Sequence, residues 1–323
     1  MSEAPRPWPH PWVEAYAPAT VSNLGPGFDC LGLAVHGPGD VVRARRRREP
    51  GVVLTKITGD GGRLPLAADQ NTACVAVAAM LARAGVADTL GVELELDKGL
   101  PLGSGLGSSG ASACAALLAA AGALDLHVGN DAMIEAARAG EAVACGSPHP
   151  DNVAPAILGG IVLIAATEPL RVVSLPVPED LWLAIYTPGC EVETAKARAV
   201  LPRQVGLDAT VRQSARLALL VHALHIGDLA LLGEAIVDEL VEPARAHLIP
   251  GFLDAKINAI EAGALACSIS GAGPTCFALA SSKQQATSLL EILDESFTHA
   301  GVSGRGQVDQ VGPGAHVTSK ALH

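Results

Sequence analysis

The sequence predicts a mixed α+β fold, and three observations support this prediction. Residues 13–20 and 91–97 alternate between apolar and polar side chains, as half-buried strands do. From about residue 191 to residue 263 the apolar spacing is helical. The segment 265–280 then has the pattern of a strand, a glycine turn and a second strand. Such grouping of strands and helices is typical of a two-layered α+β protein, with a boundary expected near 165–190.

The remaining elements follow from local patterns and from their start and stop signals. Asn71 precedes an apolar run and predicts a capped helix that ends at Gly85. Further helices are predicted at 108–124, 130–145 and 283–297. Further strands are predicted at 30–35, 161–166, 171–175, 181–186 and 306–311, together with a basic hairpin that ends near residue 58.

Composition excludes some classes of function. The 323 residues are 49% hydrophobic and 17% charged, which is enough for a substantial core. The formal net charge of −11 argues against a nucleic-acid partner. The basic run Arg43–Arg48 is therefore interpreted as the solvated edge of a hairpin rather than as a site for a polyanion.

Cysteine spacing and the apolar runs predict a cytoplasmic protein. The seven cysteines have no CxxC spacing, their number is odd, and most lie in apolar runs, which is typical of reduced, buried thiols. The proline-rich start, residues 1–8, does not have the pattern of a signal peptide. The apolar stretches near 113–124 and 157–166 are shorter than the roughly 18 residues that a membrane helix needs, so no membrane partner is expected.

A glycine-rich loop at 99–107 is the first candidate for a binding site. It lies between a predicted strand and a small-residue helix, so it directs free backbone N–H groups and the positive end of the helix at one place. Such a place binds phosphate. Ser108 and Ser109, at the helix start, could cap the helix, hold phosphate oxygens or ligate Mg²⁺.

Two other functional interpretations of this loop are weaker, and a third, purely structural interpretation stays open. Residues 105–110 fit GxGxxG, but residues 98–101 separate the motif from its strand and Asp125 follows a helix, which argues against a dinucleotide fingerprint. A Walker A loop is excluded because no Gly-Lys-Ser/Thr occurs. A glycine turn that only packs the helix on the sheet is an equal alternative for the loop by itself.

Two further glycine turns favour a shared pocket. Asn23-Leu-Gly-Pro-Gly-Phe-Asp29 follows the first strand and carries two polar side chains that need partners if they are buried. Residues 270–275, Ser-Gly-Ala-Gly-Pro-Thr, join two strands. Three short glycine-rich loops at strand ends indicate one functional site.

The three motifs, in this order, resemble those of the GHMP kinases. Among these, the chain looks most like the homoserine kinases, whose motifs are similar to HPDNVAPAILGG at 149–160, ETAKARAVLP at 193–202 and EPARAHLIPGF at 242–252. The resemblance implies the GHMP kinase fold, with a domain like ribosomal protein S5 domain 2 over 1–168 and a ferredoxin-like domain over 169–323. It implies ATP and Mg²⁺, with phosphate passed to the side-chain hydroxyl of L-homoserine in threonine biosynthesis. It also allows a homodimer, which the sequence itself neither supports nor opposes.

The resemblance implies site roles for the residues of this chain that match the family's motifs. Ser109 and Glu141 match magnesium ligands and, with Arg198, are the predicted catalytic residues. The residues matched to the ATP phosphates are Pro101, Leu102, Gly103, Ser104, Gly105, Leu106, Gly107, Ser108, Ser109, Gly271 and Gly273. The residues matched to homoserine are Asn23, Asp29, Asn152, Thr194, Arg198 and Arg245.

The residue types fit an amino-acid zwitterion. Asp29 would hold the α-ammonium group, and Arg198 and Arg245 would bind the α-carboxylate. No motif supplies a general base. The alternatives are another GHMP kinase, acting on mevalonate, shikimate or a sugar, or a non-catalytic nucleotide-binding relative.

Overall fold

A computed structural model of the chain describes residues 10–145 and 149–320. These residues form two β-sheets with helices packed against each of them, as the predicted α+β class requires. The N-terminal segment 1–8, in which no signal peptide is expected, lies outside the described residues. No helix among the described residues is long and apolar enough to span a membrane.

The larger sheet has seven strands in the order β11-β1-β2-β4-β3, with β5 paired to β2 and β6 paired to β5. The pair β3–β4 is parallel, whereas the other neighbours in this sheet are antiparallel. The strands are β1 (Val13–Ser22), β2 (Leu31–Arg47), β3 (Gly51–Thr58), β4 (Gly91–Asp97), β5 (Ile161–Thr167), β6 (Leu170–Leu175) and β11 (His316–Lys320). The last strand, β11, has no counterpart in the sequence prediction.

The predicted hairpin of β2 and β3 is wrong, because β4 lies between these two strands. Val92, Leu94 and Leu96 of β4 are buried. Most residues of β3 are partly or fully exposed. A strand with a buried apolar face is stabilised in the interior of a sheet, and a more polar strand is tolerated at its edge.

Three of the four arginines of β2 pair with acidic side chains. Arg45 pairs with Glu93 on β4 at 2.8 Å, and Arg43 pairs with Glu14 on β1 at 2.8 Å. Both pairs are partly or largely solvated, so each contributes little to stability. The charged surface predicted for this run is confirmed, although its topology is not that of a hairpin.

Four helices cover the larger sheet: α1 (Thr72–Arg83), α2 (Ser108–Leu124), α3 (Asn130–Cys145) and α4 (Pro150–Leu158). α2 is the central helix and contacts β1, β2 and the three other helices. Its alanines are almost all buried, and their small side chains allow close approach of helix and sheet. The sequence analysis predicted α1, α2 and α3 but not the short helix α4.

The smaller sheet has four strands in the order β10-β7-β9-β8. They are β7 (Trp182–Pro188), β8 (Ala266–Ile269), β9 (Cys276–Ala280) and β10 (Gly304–Gln310). Two helices, α9 (Phe252–Glu261) and α10 (Lys283–His299), pack on one face. Together they form the β-α-β-β-α-β order of a ferredoxin-like unit, as expected for the C-terminal part. Tyr186 and Phe297 stack at 5.0 Å in its core.

Four helices between β7 and α9 complete the fold: α5 (Thr194–Ala199), α6 (Leu207–Ile226), α7 (Leu229–Ala235) and α8 (Glu242–Arg245). Leu183 and Phe277 of the smaller sheet belong to the same apolar core as α2 and α6. The two sheets therefore share a continuous core.

A division of the chain at 168/169 remains a proposal, and the sheet pairing bears on where such a division lies. β6 follows this position but pairs with β5 in the larger sheet, and β11 returns from the C-terminus to pair with β1. A division by sheets would fall between β6 and β7, with β11 assigned to the N-terminal part.

Candidate active site

The three glycine-rich loops meet at one place between the two sheets. The Thr20 N–H donates to the Leu106 carbonyl at 3.0 Å, and the Thr275 N–H donates to the Ser104 carbonyl at 3.0 Å. The hydroxyl of Ser270 donates to the Gly105 carbonyl at 2.6 Å. Residues far apart in sequence thus fix the glycine loop from both sides.

A cavity of about 680 Å³ opens at this meeting point. Nearly all residues that the sequence analysis assigned to the site line it; Pro101 and Leu106 do not. The Leu106 side chain is in the apolar core. The assigned residues that line the cavity are Asn23, Asp29, Leu102, Gly103, Ser104, Gly105, Gly107, Ser108, Ser109, Glu141, Asn152, Thr194, Arg198, Arg245, Gly271 and Gly273.

The side of the cavity that the family motifs assign to the ATP phosphates, here called the phosphate side, is built from backbone. Gly107 is the N-cap of α2 and has a left-handed backbone, with φ 65°. A Cβ at Gly107 would lie 2.0 Å from the Thr20 hydroxyl, and a Cβ at Gly105 would lie 2.6 Å from the Ser270 carbonyl oxygen. Glycine at these positions therefore permits both the turn and the close packing, and the first N–H groups of α2 face the cavity side, where they suit an anion.

A buried ion pair supports the start of α2 from beneath. The Lys98 ammonium pairs with the Asp40 carboxylate, and both side chains are almost completely buried. Lys98 also donates to the Ser108 hydroxyl at 2.7 Å and to the Ser112 hydroxyl at 2.9 Å. Burial lowers the pKa of Lys98, and Asp40 opposes that shift. The network joins β2, β4 and α2 at the point where the glycine loop begins.

Ser108 and Ser109 face different surroundings. The Ser108 hydroxyl is taken up by Lys98 and the Leu100 carbonyl, so only the Ser108 backbone N–H would serve a phosphate. Ser109 is half-buried and lines the cavity, as does the buried Glu141 on α3. Ser109 and Glu141 thus bring a hydroxyl and a carboxylate to the phosphate side, and both are hard oxygen ligands.

The opposite side of the cavity is built from charged side chains. Both terminal nitrogens of Arg198, on α5, donate hydrogen bonds to the Asp29 carboxylate, at 2.8 and 3.1 Å. Arg245 of α8 is buried and donates to the carbonyls of Ala197 and Gly271, at 3.0 and 2.8 Å. Burial and the nearby charge of Arg198 lower the pKa of Arg245 to about 10. Both guanidinium groups lie over the ring of Phe28, at 5.5 and 5.2 Å.

The loop of residues 23–29 is held in an unusual backbone conformation. Asn23 and Asp29 both have positive φ values, 76° and 58°, which cost energy for residues other than glycine. The Asn23 amide offsets this cost: it accepts from the Asp29 N–H at 3.1 Å and donates to the Gly271 carbonyl at 3.0 Å. Asn23 therefore holds Asp29 at the cavity wall.

Sequence reasoning missed several polar residues of the site. Asp151 is buried in the cavity wall, and the His149 ring nitrogen Nδ1 lies 3.6 Å from Asp29. Burial lowers the pKa of His149. Asn152, which was assigned, accepts from the Thr20 hydroxyl at 2.9 Å. The available signal was that Asp151 and His149 immediately precede Asn152 in the same motif.

A more distant residue, Gln213 of α6, connects the 23–29 loop with α8 on the side of the cavity that the family motifs assign to homoserine, here called the amino-acid side. Its amide nitrogen donates to the Pro26 carbonyl at 3.3 Å and to the Asp238 carboxylate at 3.0 Å. Asp238 also accepts from the backbone N–H groups at the start of α8, which carries Arg245. No local pattern in the sequence identifies a glutamine with this role.

Known proteins share the sequence pattern and the fold of this chain. Residues 71–160 match the family of the GHMP kinases N terminal domain, and residues 220–299 match GHMP kinases C terminal. A homoserine kinase of Chlorobium phaeobacteroides is 43% identical over 294 residues, which cover 88% of this chain and 92% of the relative. A homoserine kinase of Xanthomonas campestris is 42% identical over 299 residues, covering 93% of this chain and 91% of the relative.

The chain belongs to the GHMP kinase family, among the homoserine kinases. The crystal structure of homoserine kinase from Cytophaga hutchinsonii superimposes with a TM-score of 0.91 at 42% identity, covering 98% of this chain and 100% of that one. A mevalonate kinase of L. major, at 17% identity and a TM-score of 0.70 over 92% of this chain and 95% of that one, shares the fold. The predicted GHMP kinase fold and the kinase assignment are confirmed, and membership of this family implies the use of ATP.

Proposed function

We propose that this kinase transfers the γ-phosphate of ATP to the side-chain hydroxyl of L-homoserine. One observation carries the proposal: Asp29, Arg198 and Arg245 line the same cavity as the glycine loop. A carboxylate beside two guanidinium groups matches an α-ammonium and an α-carboxylate. Their position opposite the phosphate cradle leaves the side-chain hydroxyl of a bound amino acid directed towards the γ-phosphate.

We assign the triphosphate to the start of α2. The backbone N–H groups of residues 103–109 and the positive end of the helix would stabilise the negative charge on the phosphates. Leu64 and Pro65 line the cavity beyond this loop, next to Asn71 and Thr72. Leu64 and Pro65 would offer apolar surface to the planar base of the nucleotide.

The donor set fits Mg²⁺ bound together with ATP. No cluster of three or more His, Cys, Asp or Glu side chains that could hold a metal exists in residues 10–145 and 149–320. Mg²⁺ needs no such cluster, because it is held by one or two protein oxygens and by substrate phosphates. Ser109 and Glu141 would supply those oxygens. When bound, the ion neutralises charge on the β- and γ-phosphates.

The acceptor hydroxyl would lie near Asn152 and Thr194. Asn152 is held by Thr20 beside the glycine loop, and Thr194 begins α5 on the amino-acid side. In-line attack needs this positioning more than it needs covalent help. We assign no general base.

The wider setting of the reaction is also a proposal. We propose a cytoplasmic enzyme that acts in threonine biosynthesis on small molecules, without a nucleic-acid or membrane partner, in keeping with its net charge of −11. A homodimer is readily tested by light scattering of the purified chain.

A coupled assay of ADP formation tests the proposed reaction. The acceptors are L-homoserine, L-serine, L-threonine, mevalonate, shikimate and galactose, each with Mg²⁺ and ATP. We expect turnover with homoserine and at least a tenfold lower kcat/KM for each other acceptor. Faster turnover with mevalonate, shikimate or galactose would keep the phosphate side and refute the amino-acid side. Faster turnover with L-serine or L-threonine would keep both sides and refute homoserine as the preferred amino acid. ATP binding without any turnover would indicate a non-catalytic relative.

A further inference from the structure

Asp151 is a buried carboxyl group that the proposed mechanism does not use. It lies in the second position of α4 and lines the substrate cavity, with 3% of its surface exposed. Its Oδ1 atom and the Oγ atom of Ser22 are buried without a hydrogen-bond partner among the described residues. Buried polar atoms are costly when they lack a partner. The Asp151 Oδ1 atom therefore suits a donor that arrives with a ligand.

The charges around Asp151 make its ionised form unfavourable while the cavity is empty. Burial raises the pKa of Asp151 to about 7, and the carboxylate of Asp29 adds to the rise, whereas Ser22 and Arg198 oppose it. Both terminal nitrogens of Arg198 are directed to Asp29, so Asp29 is the carboxylate that this guanidinium neutralises. The titratable and charged side chains that interact with Asp151 or lie next to it are Asp29, Cys30, His149, Arg198 and Arg245.

We propose that Asp151 joins Asp29 in binding the α-ammonium group of the substrate, and that Asp151 loses a proton when this group binds. The inference rests on the proposed function, because it requires an amino-acid substrate. An ammonium group has three N–H donors. The carboxylates of Asp29 and Asp151 accept such donors, and the Oδ1 atom of Asp151 has no partner within the described residues.

The rearrangement on binding follows from the charges. The substrate ammonium takes the place of the Arg198 guanidinium at Asp29, and Arg198 turns to the α-carboxylate beside Arg245. The positive charge next to Asp151 favours its ionised form and lowers its pKa. A proton leaves the Asp151 carboxyl group for the solvent, and two carboxylates then face one ammonium group.

The number of protons released depends on pH in a defined way. With a pKa of about 7 in the empty cavity, Asp151 is mostly protonated at pH 6 and mostly ionised at pH 8. Binding of the ammonium group should therefore release about 0.9 proton per site at pH 6 and about 0.1 at pH 8. Release that falls as the pH rises through 7 is the expected signature.

Titration calorimetry of the full chain measures this release. L-Homoserine is titrated at pH 6, 7 and 8 with Mg²⁺ and a non-hydrolysable ATP analogue, in buffers that differ in ionisation enthalpy. The dependence of the observed heat on that enthalpy gives the number of protons exchanged. The control ligand is 4-hydroxybutyrate, which keeps the hydroxyl and the carboxylate but lacks the ammonium group, and we expect it to release no proton.

Two variants distinguish proton release by Asp151 from proton release by His149. Asp151→Asn should bind homoserine about tenfold more weakly and release no proton at pH 6. His149→Gln should keep the release, although His149 is also titratable and lies beside Asp29. Release that persists in Asp151→Asn, or that disappears in His149→Gln, would overturn the assignment.

The same experiment distinguishes the failure of the inference from that of the proposed function. The absence of homoserine binding to the wild-type chain would contradict the proposed function. Homoserine binding without proton release at pH 6, or equal release with 4-hydroxybutyrate, would overturn the role of Asp151 and leave the function intact. Both outcomes are read from the wild-type protein, so they do not depend on the folding of any variant.

Discussion

The two sides of the cavity present polar and charged groups of different kinds. The phosphate side presents backbone N–H groups at the start of α2, fixed by glycines and by the buried pair Lys98–Asp40. The amino-acid side presents side chains from the 23–29 loop, α5 and α8, held by a solvent-accessible pair between Asp29 and Arg198. A backbone cradle is preorganised before any ligand arrives, whereas the Asp29–Arg198 pair must open to admit one. Binding on the phosphate side should therefore be most sensitive to substitution of the residues that hold its backbone in place. Binding on the amino-acid side should be most sensitive to substitution of the charged side chains themselves.

The largest effect should come from the support beneath the phosphate side. Lys98→Met leaves the Asp40 carboxylate buried without its charge partner, and we expect a loss of about 3–5 kcal/mol in the free energy of unfolding, because one member of a buried pair is removed. The measurement is urea unfolding. The double variant Lys98→Met/Asp40→Asn should recover part of this loss. A loss below about 1 kcal/mol in Lys98→Met would show that the pair is not a support.

Removal of the carboxylate on the phosphate side should damage turnover rather than folding. Glu141→Gln should lower kcat by about 10²–10³, the range for the loss of one group that stabilises transition-state charge. Steady-state kinetics with homoserine and ATP measures it, and circular dichroism checks the fold. A kcat within twofold of the wild type would exclude Glu141 as a metal ligand.

A side chain of the amino-acid side should affect one substrate selectively. Arg198→Ala should raise KM for homoserine by about 10–100-fold, the cost of about 1.4–2.8 kcal/mol for a lost charged hydrogen bond. KM for ATP should change by less than threefold. An equal rise in both constants would contradict the separation of the two sides.

Two glycines of the same loop separate backbone strain from crowding. Gly103 and Gly107 have nearly equal positive φ values, 64° and 65°. A Cβ at Gly103 meets nothing within 4 Å, whereas one at Gly107 meets the Thr20 hydroxyl at 2.0 Å.

Gly103→Ala should therefore cost only the left-handed conformation, about 1 kcal/mol in the free energy of unfolding. Gly107→Ala should cost more than Gly103→Ala and should also raise KM for ATP. Thermal or urea unfolding with steady-state kinetics measures both. Indistinguishable variants would mean that Thr20 yields and that the cradle is less rigid than its contacts indicate.

The smallest effect should come from the glutamine behind the amino-acid side. Gln213→Leu removes the connection between Pro26 and Asp238, and we expect a three- to tenfold rise in KM for homoserine, about 1 kcal/mol for the lost hydrogen bonds. Gln285→Leu is the matched control, since Gln285 also bonds to a backbone carbonyl, that of Gly263, but is partly exposed and does not line the cavity. A change in KM for ATP as large as that for homoserine would mean that Gln213 supports the whole fold instead.

The same contrast explains how much of the molecule could be predicted from the sequence. The glycine loop and α2 are local in sequence, so the turn and the helix were predicted together, and the phosphate-binding role of the loop stays a prediction. The pairing of β4 between β2 and β3 depends on contacts between distant strands, and the hairpin prediction failed there. The assigned roles of Asp29, Arg198 and Arg245 came from family motifs and remain proposals, although the structure brings these residues into one cavity.

Other residues could not be predicted because their roles depend on packing. Lys98 preceded the glycine loop in the sequence, but nothing local revealed that Asp40 lies against it. Asp151 had no signal beyond its place in a motif, because its significance arises from burial next to Asp29. Gln213 is 187 residues from the carbonyl that it binds.

The most direct test of the central claim uses substrates that each lack one charged group. The values of kcat/KM are compared for L-homoserine, for 4-hydroxybutyrate, which lacks the ammonium group, and for 3-amino-1-propanol, which lacks the carboxylate. We expect each analogue to lose at least about 10²-fold in kcat/KM, with KM for ATP unchanged, because each lacks one of the two charges that the cavity is proposed to bind. Turnover of either analogue at the homoserine rate would contradict a cavity that binds both ends of an amino acid.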